Sequence, residues 1–365
     1  MHSPYVLQNL QIPGESLIDI TISDNQIQKI SQAGSRSSYQ HLNMKGLYVS
    51  SGWIDLHVHA LSSLQPYGDD IDEIGIKQGV TTIVDAGSCG ADNIHELYTQ
   101  SLKSKTNVLA YLNISRLGLT RIDELSELHW LDREKLLEAV SFYEGFIVGL
   151  KARMSNSVVK NNAIEPLNIA RNFSRLTNMP LMVHIGSAPP KITDILDLLE
   201  KNDIITHFLN GKDNNLFPNG APLQELLSAI SRGVHLDVGH GSASFSFPVA
   251  EVAKKHNIQP FTISSDIYKE NRENGPVYSL ASVASKFLHL GYSLKEIIHA
   301  ITTLPANRIN KPELGELKEH GAANLTLFNI ENADIELVDS AGERRYASQQ
   351  IIPKGVVING ELIIF

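Results

Sequence analysis

The stretch Asp55-Leu56-His57-Val58-His59 lies inside the apolar run 54–60 and carries two histidines that are separated by one residue. On a β-strand, residues i and i+2 point to the same face, so we expect His57 and His59 to project together. Two imidazoles on one face suit a borderline metal such as zinc, although a pair of packing histidines would have the same spacing. Asp55 lies on that face and could orient an imidazole.

Further short apolar runs follow this stretch, and amphipathic segments separate many of them. The runs are Thr81–Ala86, Asn107–Ile114, Phe146–Met154, Pro180–Ile185, Ile204–Leu209, Val234–Val238 and Phe261–Ile267. Helical patterns occupy Asp132–Tyr143, Ile164–Leu176, Thr193–Lys201, Leu223–Arg232 and Val249–His256. Eight buried strands that alternate with helices are typical of an α/β fold, the (β/α)8 TIM barrel. A doubly wound open sheet is the alternative, but no GxGxxG motif follows the first strand.

Both chain ends have a different pattern, with short alternating segments and turn signals. The strand candidates are Leu17–Ile22, Ile27–Ile30, Leu42–Ser51, Asn324–Ile330, Gly355–Ile358 and Glu361–Phe365. We therefore predict that residues 1–50 and 312–365 form one small β module and that residues 51–311 form the barrel.

Composition narrows the class of protein. Of the 365 residues, 42% are hydrophobic and 19% are charged, which suffices for a large buried core. The net charge of −9, without a basic run, argues against nucleic acid and anionic membranes as partners. The lone Cys89 cannot form an internal disulfide, which favours a reducing compartment. With no signal peptide or membrane span in the sequence, we expect a cytoplasmic protein that acts on a small molecule.

Four more residues with metal-binding chemistry stand where predicted strands end, at the face where TIM barrels carry their active sites. His184 and His207 follow the fifth and sixth strands, and each alone would more often be structural. Asp266 follows the eighth strand, where a helix N-cap is the ordinary role. Lys151 ends the fourth strand and suits a cationic site only if its amine has reacted with carbon dioxide, because the carbamate is anionic. A solvated or anion-binding lysine is the alternative.

This set resembles the amidohydrolase superfamily, in its binuclear subtype with a carboxylated lysine. Gly52–His57 is similar to the family's first strand, and Pro305-Ala306 followed by Gly315, Gly321 and Leu325 resembles its return into a small β-sandwich. The resemblance covers essentially the whole chain. It implies that the metal ligands are His57, His59, Lys151, His184, His207 and Asp266.

The same resemblance implies a mechanism and cofactors. Two divalent metal ions, zinc or alternatively manganese or iron, would share a CO2-derived carbamate on Lys151. A metal-bridged hydroxide would cleave an amide or ester bond, with Asp266 as the catalytic residue that accepts the proton and passes it to the leaving group. The family resemblance further implies a homo-oligomer.

Several residues indicate the branch of the family. Leu61 stands where dihydroorotase-like members usually carry an arginine, and Ser187 stands where mononuclear deaminases usually carry a glutamate. Gly149–Arg153 and Asp237–Gly241 look closest to the dihydroorotase-like and D-aminoacylase-like branch, whose members are often labelled predicted amidohydrolases or deacetylases. This implies a deacetylase of small acylated carboxylate compounds. A dihydroorotase- or hydantoinase-like cyclic amidase is the alternative, and a non-catalytic scaffold of the same fold is a further one.

Other residues are candidates for contacts with substrate or for support. Arg153 shares the strand face of Lys151 and could pair with a substrate carboxylate, or with a barrel acid instead. Tyr268 and Tyr278 follow Asp266 on the last loop and could contact substrate or simply pack. His240 is expected to support the site. Cys89 is expected in a loop near the site, although some D-aminoacylases bridge metals with a cysteine there.

Overall fold

The computed structural model describes residues 3–35 and 37–365, with strands at both chain ends and alternating strands and helices between them. The strands are β1 (Tyr5–Gln11), β2 (Leu17–Ser23), β3 (Gln26–Gln32), β4 (Gln40–Asn43), β5 (Tyr48–Ser51), β6 (Trp53–Val58), β7 (Val80–Ala86), β8 (Asn107–Asn113), β9 (Ile147–Met154), β10 (Leu181–Ile185), β11 (Ile204–Thr206), β12 (His235–Asp237), β13 (Leu325–Val338), β14 (Arg344–Ile358) and β15 (Glu361–Ile364). The α-helices are α1 (Ile71–Ile74), α2 (Ile94–Ser101), α3 (Arg133–Phe142), α4 (Asn156–Val159), α5 (Glu165–Thr177), α6 (Ile192–Leu198), α7 (Gln224–Ser231), α8 (Phe247–Lys255), α9 (Lys269–Glu273), α10 (Leu280–His289), α11 (Leu294–Ile301) and α12 (Thr303–Arg308).

A parallel sheet runs from β6 to β12, and each strand pairs with the next one along the chain. The eighth predicted run, Phe261–Ile267, is not a regular strand. Isolated parallel bridges nevertheless join Thr262 to Asp237 and Ile267 to Val58. The segment therefore lies between β12 and β6 and completes the ring, and the predicted (β/α)8 barrel is confirmed.

The irregularity of this eighth segment has a local cause. Asp266 has a left-handed backbone with φ of 53°, a conformation that cannot repeat along a strand of L-residues. Just before it, the Ser265 amide donates to Asp55 Oδ1 over 3.0 Å instead of to a strand carbonyl. Asp55 thus holds the eighth segment in place and does not orient an imidazole ring. This differs from the role that the sequence suggested for it.

The two chain ends form one separate sheet, as predicted. Its strands have the order β15-β14-β13-β5-β1-β2-β3, and β4 pairs with β1. The ends meet where β5 runs antiparallel to β13, with Ser50 opposite Thr326. The division of the chain at residues 50 and 312 stays a prediction.

The β13–β14 hairpin is much longer than the sequence predicted, because its outer half is polar and alternates between half-buried and exposed residues. Its tip contacts the barrel near the carboxyl ends of the strands. Ser340 Oγ donates to Gly241 O over 2.9 Å, and Phe247 N donates to Asp339 Oδ2 over 3.0 Å. The hairpin therefore supports the loop that follows β12.

Trp53 links the barrel to the sheet of the chain ends. It is fully buried, its ring centroid lies 5.4 Å from that of Phe328, and its amide donates to Thr326 Oγ1 over 3.1 Å. Across residues 3–35 and 37–365, none of the helices has both the length and the apolar character that crossing a membrane would need.

Candidate metal centre

The six predicted ligands line a single cavity at the carboxyl ends of the barrel strands. These residues are His57, His59, Lys151, His184, His207 and Asp266. The cavity has a volume of about 240 Å³. His57 projects inward from β6 and His59 from the residue just after it, and the other four residues reach the same space from β9, β10 and the ends of later strands.

His57, His59 and Asp266 form the tightest part of the cluster. Asp266 Oδ1 lies 3.3 Å from His57 Nε2 and 3.2 Å from His59 Nε2. One ligand atom from each of the three residues falls within 4.8 Å of the others. Two imidazole nitrogens and a carboxylate oxygen around one point are a donor set that zinc and similar divalent metals accept.

The backbone turn at Asp266 directs its carboxylate into this cluster. The Asp266 amide donates to His57 O over 2.7 Å, and the His59 amide donates to Ile267 O over 3.0 Å, so the residue is fastened to β6 on both sides. A Cβ at Gly241 would lie 2.3 Å from Asp266 Oδ2, so only glycine fits there. Burial opposes ionisation of Asp266, but the contact with His59 and the nearby amine of Lys151 favour it, and the pKa of this carboxyl is lowered.

A buried relay fixes the tautomer of His57. Its Nδ1 lies 2.8 Å from Thr206 Oγ1, and that hydroxyl donates to Asp237 Oδ2 over 2.8 Å. Because the hydroxyl proton is directed to the carboxylate, the hydroxyl must accept a proton from Nδ1 of the ring. The lone pair of His57 therefore sits on Nε2, which faces Asp266 and Lys151.

We expect Thr206→Val to weaken metal binding about 10- to 100-fold while the protein stays folded, because it removes the partner that orients His57. Chelator competition followed by metal analysis would measure this. Thr262→Val is the matched control, since Thr262 Oγ1 donates to the other oxygen of Asp237 over 2.6 Å but does not contact His57. Equal metal affinity in the two variants would contradict the relay.

Partners also orient two of the other imidazoles, and for His207 they fix the tautomer. His207 Nδ1 donates to Gly239 O over 2.6 Å, which leaves Nε2 as the acceptor, and His59 Nδ1 lies 2.8 Å from Ser88 Oγ. The rings of His184 and His207 meet edge to face with centroids 4.4 Å apart. Burial lowers the pKa of His184 well below its usual range and that of His207 to about 3. Neutral imidazoles are the form that binds metals.

Lys151 is buried at the centre of the cluster, in a setting that suits carbamylation. Its Nζ lies 3.3 Å from both His57 Nε2 and Met182 Sδ, and burial lowers the pKa of this amine to about 7. A substantial share of the amine is then neutral near pH 7, and the neutral amine is the form that reacts with carbon dioxide. A Cβ at Gly87 would lie 2.6 Å from Lys151 Cγ, so that glycine leaves room for the chain.

The remaining predicted residues are spread over different positions. Arg153 and Tyr268 line the cavity, whereas Tyr278 is 51% exposed and is not part of the lining. His240 is buried behind the lining, and its Nε2 lies 2.7 Å from Lys286 Nζ. Cys89 is buried in the apolar core beyond the cavity wall, and burial raises the pKa of its thiol well above the usual range.

Several residues of the site were not predicted from the sequence, among them Asp237 and Lys212. Asp237 accepts hydrogen bonds from Thr206, Thr262 and Ser264, and Lys212 lines the cavity. The sequence feature that could have pointed to Asp237 is Thr206, a hydroxyl residue directly before the predicted ligand His207. Lys212 lies in a loop whose shape sequence patterns do not predict.

The chain is similar to known proteins in sequence and in fold. Residues 317–363 match the model of a family described as a deacetylase-like composite domain. A deacetylase from Enterococcus faecalis is 40% identical over 361 residues, which cover 98% of this chain and 98% of the relative.

Two solved structures superpose closely on the chain. One, described as an adenine deaminase, has a TM-score of 0.96 at 39% identity and covers 100% of both chains. The other, described as a dihydroorotase, has a TM-score of 0.93 at 31% identity and covers 100% of this chain and 99% of its own.

Proposed function

The chain belongs to the deacetylase-like family of the amidohydrolase superfamily and is a hydrolase, and from that premise we propose that it is a binuclear, metal-dependent deacetylase. Its proposed substrate is a small acylated carboxylate compound, cleaved at an amide or ester bond. We also retain a cytoplasmic location and a homo-oligomeric state as predictions.

The observation that carries the proposal is the convergence of six donors in one cavity. His57, His59, Asp266, His184 and His207 would hold two divalent metals, most simply zinc, and a carbamate on Lys151 would complete the ligand set. The donor chemistry fits, because burial lowers the pKa values of His57, His184 and His207, which favours their neutral forms, and lowers the pKa of the Lys151 amine to about 7. When bound, the metals would polarise the scissile carbonyl and lower the pKa of water.

The residues of the chain would perform the proton transfers and set the geometry. Asp266 is ionised and projects into the cavity, so its carboxylate can take a proton from the attacking water and return it to the leaving amine or alkoxide. The relay from Asp237 through Thr206 holds His57 in place during the reaction.

A cyclic amidase is the second candidate, and the structure described as a dihydroorotase supports keeping it. One residue argues against a cyclic amidase. Leu61 stands where dihydroorotase-like members usually carry arginine, and it is buried in the apolar core. Ser187 stands where mononuclear deaminases usually carry a glutamate. It lines the cavity with a hydroxyl instead of a carboxylate, which argues against deamination. These two residues favour an acyclic acylated substrate. The complete donor set argues against a non-catalytic scaffold.

We expect chelation to abolish hydrolysis and added zinc or manganese to restore it, with about two metals bound per active chain. The assay compares N-acetyl-D- and L-amino acids and acetylated hydroxy acids with dihydroorotate, hydantoin and adenine. Release of acetate from the acetylated compounds alone would support the deacetylase. Turnover confined to the cyclic amides or to adenine would contradict it, and activity in fully metal-free protein would contradict the metal dependence.

A further inference from the structure

Lys212 brings a positive charge into the metal cavity without an obvious partner. It lies on the loop that follows β11, is half buried, and lines the cavity. Within the described part of the chain, no carboxylate forms an ion pair with its Nζ and no acceptor is hydrogen-bonded to it. Among the charges around it, Asp266 attracts the ammonium, but its carboxylate lies beside His57 and His59 and does not form an ion pair with Lys212.

Arg153, the other cation on the cavity wall, is in a different electrostatic situation. Its Nη1 lies 3.1 Å and 3.3 Å from the two carboxylate oxygens of Glu124, which is fully buried. The ion pair has no net charge, and breaking it would leave a buried carboxylate uncompensated. The charge available to an anionic ligand is therefore that of Lys212.

The space beside Lys212 is small, polar and close to the metal ligands. A Cβ at Gly186 would lie 3.6 Å from Lys212 Nζ and 3.5 Å from His184 Nε2, so both nitrogens border the same gap. Hydroxyl groups also line the cavity, from Ser155, Ser157, Ser187, Ser242 and Ser244. The volume of about 240 Å³ is below the roughly 300 Å³ at which ordinary ligand sites begin, so only a compact ligand fits.

We propose that Lys212 binds the carboxylate of the substrate and thereby selects anionic acylated compounds over their neutral analogues. The inference rests on the proposed function for the identity of the scissile group. A compact acylated acid can place its carboxylate at Lys212 Nζ while its acyl group lies toward the histidine cluster. The serine hydroxyls can donate to the carboxylate oxygens that the ammonium leaves free. Arg153 is then a positioning residue, tied to Glu124.

The test compares two achiral ligands of nearly the same size on the metal-loaded full-length protein. N-acetylglycine carries a carboxylate, and N-acetylglycinamide carries a neutral amide in its place. Binding is measured by titration calorimetry and turnover by acetate release, for the wild type, Lys212→Met and Lys212→Arg. We expect Lys212→Met to weaken binding of N-acetylglycine about 10- to 100-fold, mainly as a higher KM, and to leave N-acetylglycinamide within about twofold. Lys212→Arg should recover much of the loss, and Lys191→Met, which removes an exposed lysine outside the cavity, should change neither ligand.

The two readouts separate this proposal from the proposed function. Charge-selective binding that depends on Lys212, without any acetate release, would support the carboxylate site and count against the deacetylase. Suppose instead that acetate is released and that Lys212→Met weakens binding of both ligands equally, or of neither. This would overturn the carboxylate site and leave the deacetylase assignment intact. Equal binding of the two ligands by the wild type, or no binding of either, would also overturn the role of Lys212. Retained affinity for N-acetylglycine in Lys212→Met would mean that the metals hold the carboxylate.

Discussion

Asp266→Asn is expected to lower kcat by about 10²- to 10⁴-fold, the usual contribution of a positioned general acid and base. The amide keeps the size of the side chain and one oxygen donor, but it cannot take up the proton of the attacking water. Because the residue also contacts His57 and His59, kcat should be measured at saturating zinc or manganese, so that lost occupancy does not imitate lost proton transfer.

Two further measurements make this expectation decisive. Asp92→Asn, which changes a partly exposed carboxylate outside the cavity, should leave kcat unchanged. The metal content of Asp266→Asn is measured on the same samples as kcat. It shows how much of the decrease in kcat arises from lower metal occupancy. A fully metal-loaded Asp266→Asn protein with kcat within fivefold of wild type would exclude Asp266 as the proton carrier.

Lys151→Met is expected to reduce bound metal from two ions to one or none and to lower kcat/KM about 10³-fold or more. Such a factor corresponds to the several kcal/mol that metal ions contribute to the transition state. Methionine fills a similar volume beside Met182 but cannot form a carbamate, so the variant should keep its fold. Metal analysis by mass spectrometry and a thermal melt measure occupancy and folding separately.

The carbamate itself can be tested on the wild type. Metal-free protein that is reloaded in CO2-depleted buffer should recover less activity than protein reloaded with bicarbonate, and bicarbonate should make no difference to Lys151→Met. Lys191→Met serves as the control for removing a lysine at an exposed position. Full metal occupancy and near wild-type activity in Lys151→Met would contradict both the carbamate and the binuclear assignment.

The sequence predicted the barrel because the barrel depends on local pattern, whereas the ligand set came from residues at strand ends together with the family resemblance and stays a prediction. Buried parallel strands appear as short apolar runs. A histidine or lysine at the end of such a run lies at the active face, and this position does not depend on the shape of the loops. The eighth segment of the barrel could not be predicted correctly from such a pattern. Phe261–Ile267 has the composition of a strand, but Asp266 needs a left-handed turn to reach His57, and that turn interrupts the ladder.

Contacts between distant residues could not be predicted in the same way. The relay joins His57 on β6 to Thr206 on β11 and Asp237 on β12, and β6 approaches these later strands only because the barrel closes. The pairing of Arg153 with Glu124 depends on the path of the loop after β8, and the position of Lys212 depends on the loop after β11. One sequence provides periodicity for strands and helices, but it does not fix the shape of such loops.

The sheet shared by the two chain ends has a consequence for synthesis of the protein. The Trp53 amide bonds to Thr326 Oγ1 across 273 residues of chain, and β13 supplies the neighbour of β5. At about 5 to 20 residues per second, a ribosome needs roughly 14 to 55 s to make that length of chain. During this time β5 has an open edge, and open edges promote pairing between chains. We therefore expect nascent chains that stop before β13 to be the aggregation-prone and chaperone-dependent forms of this protein.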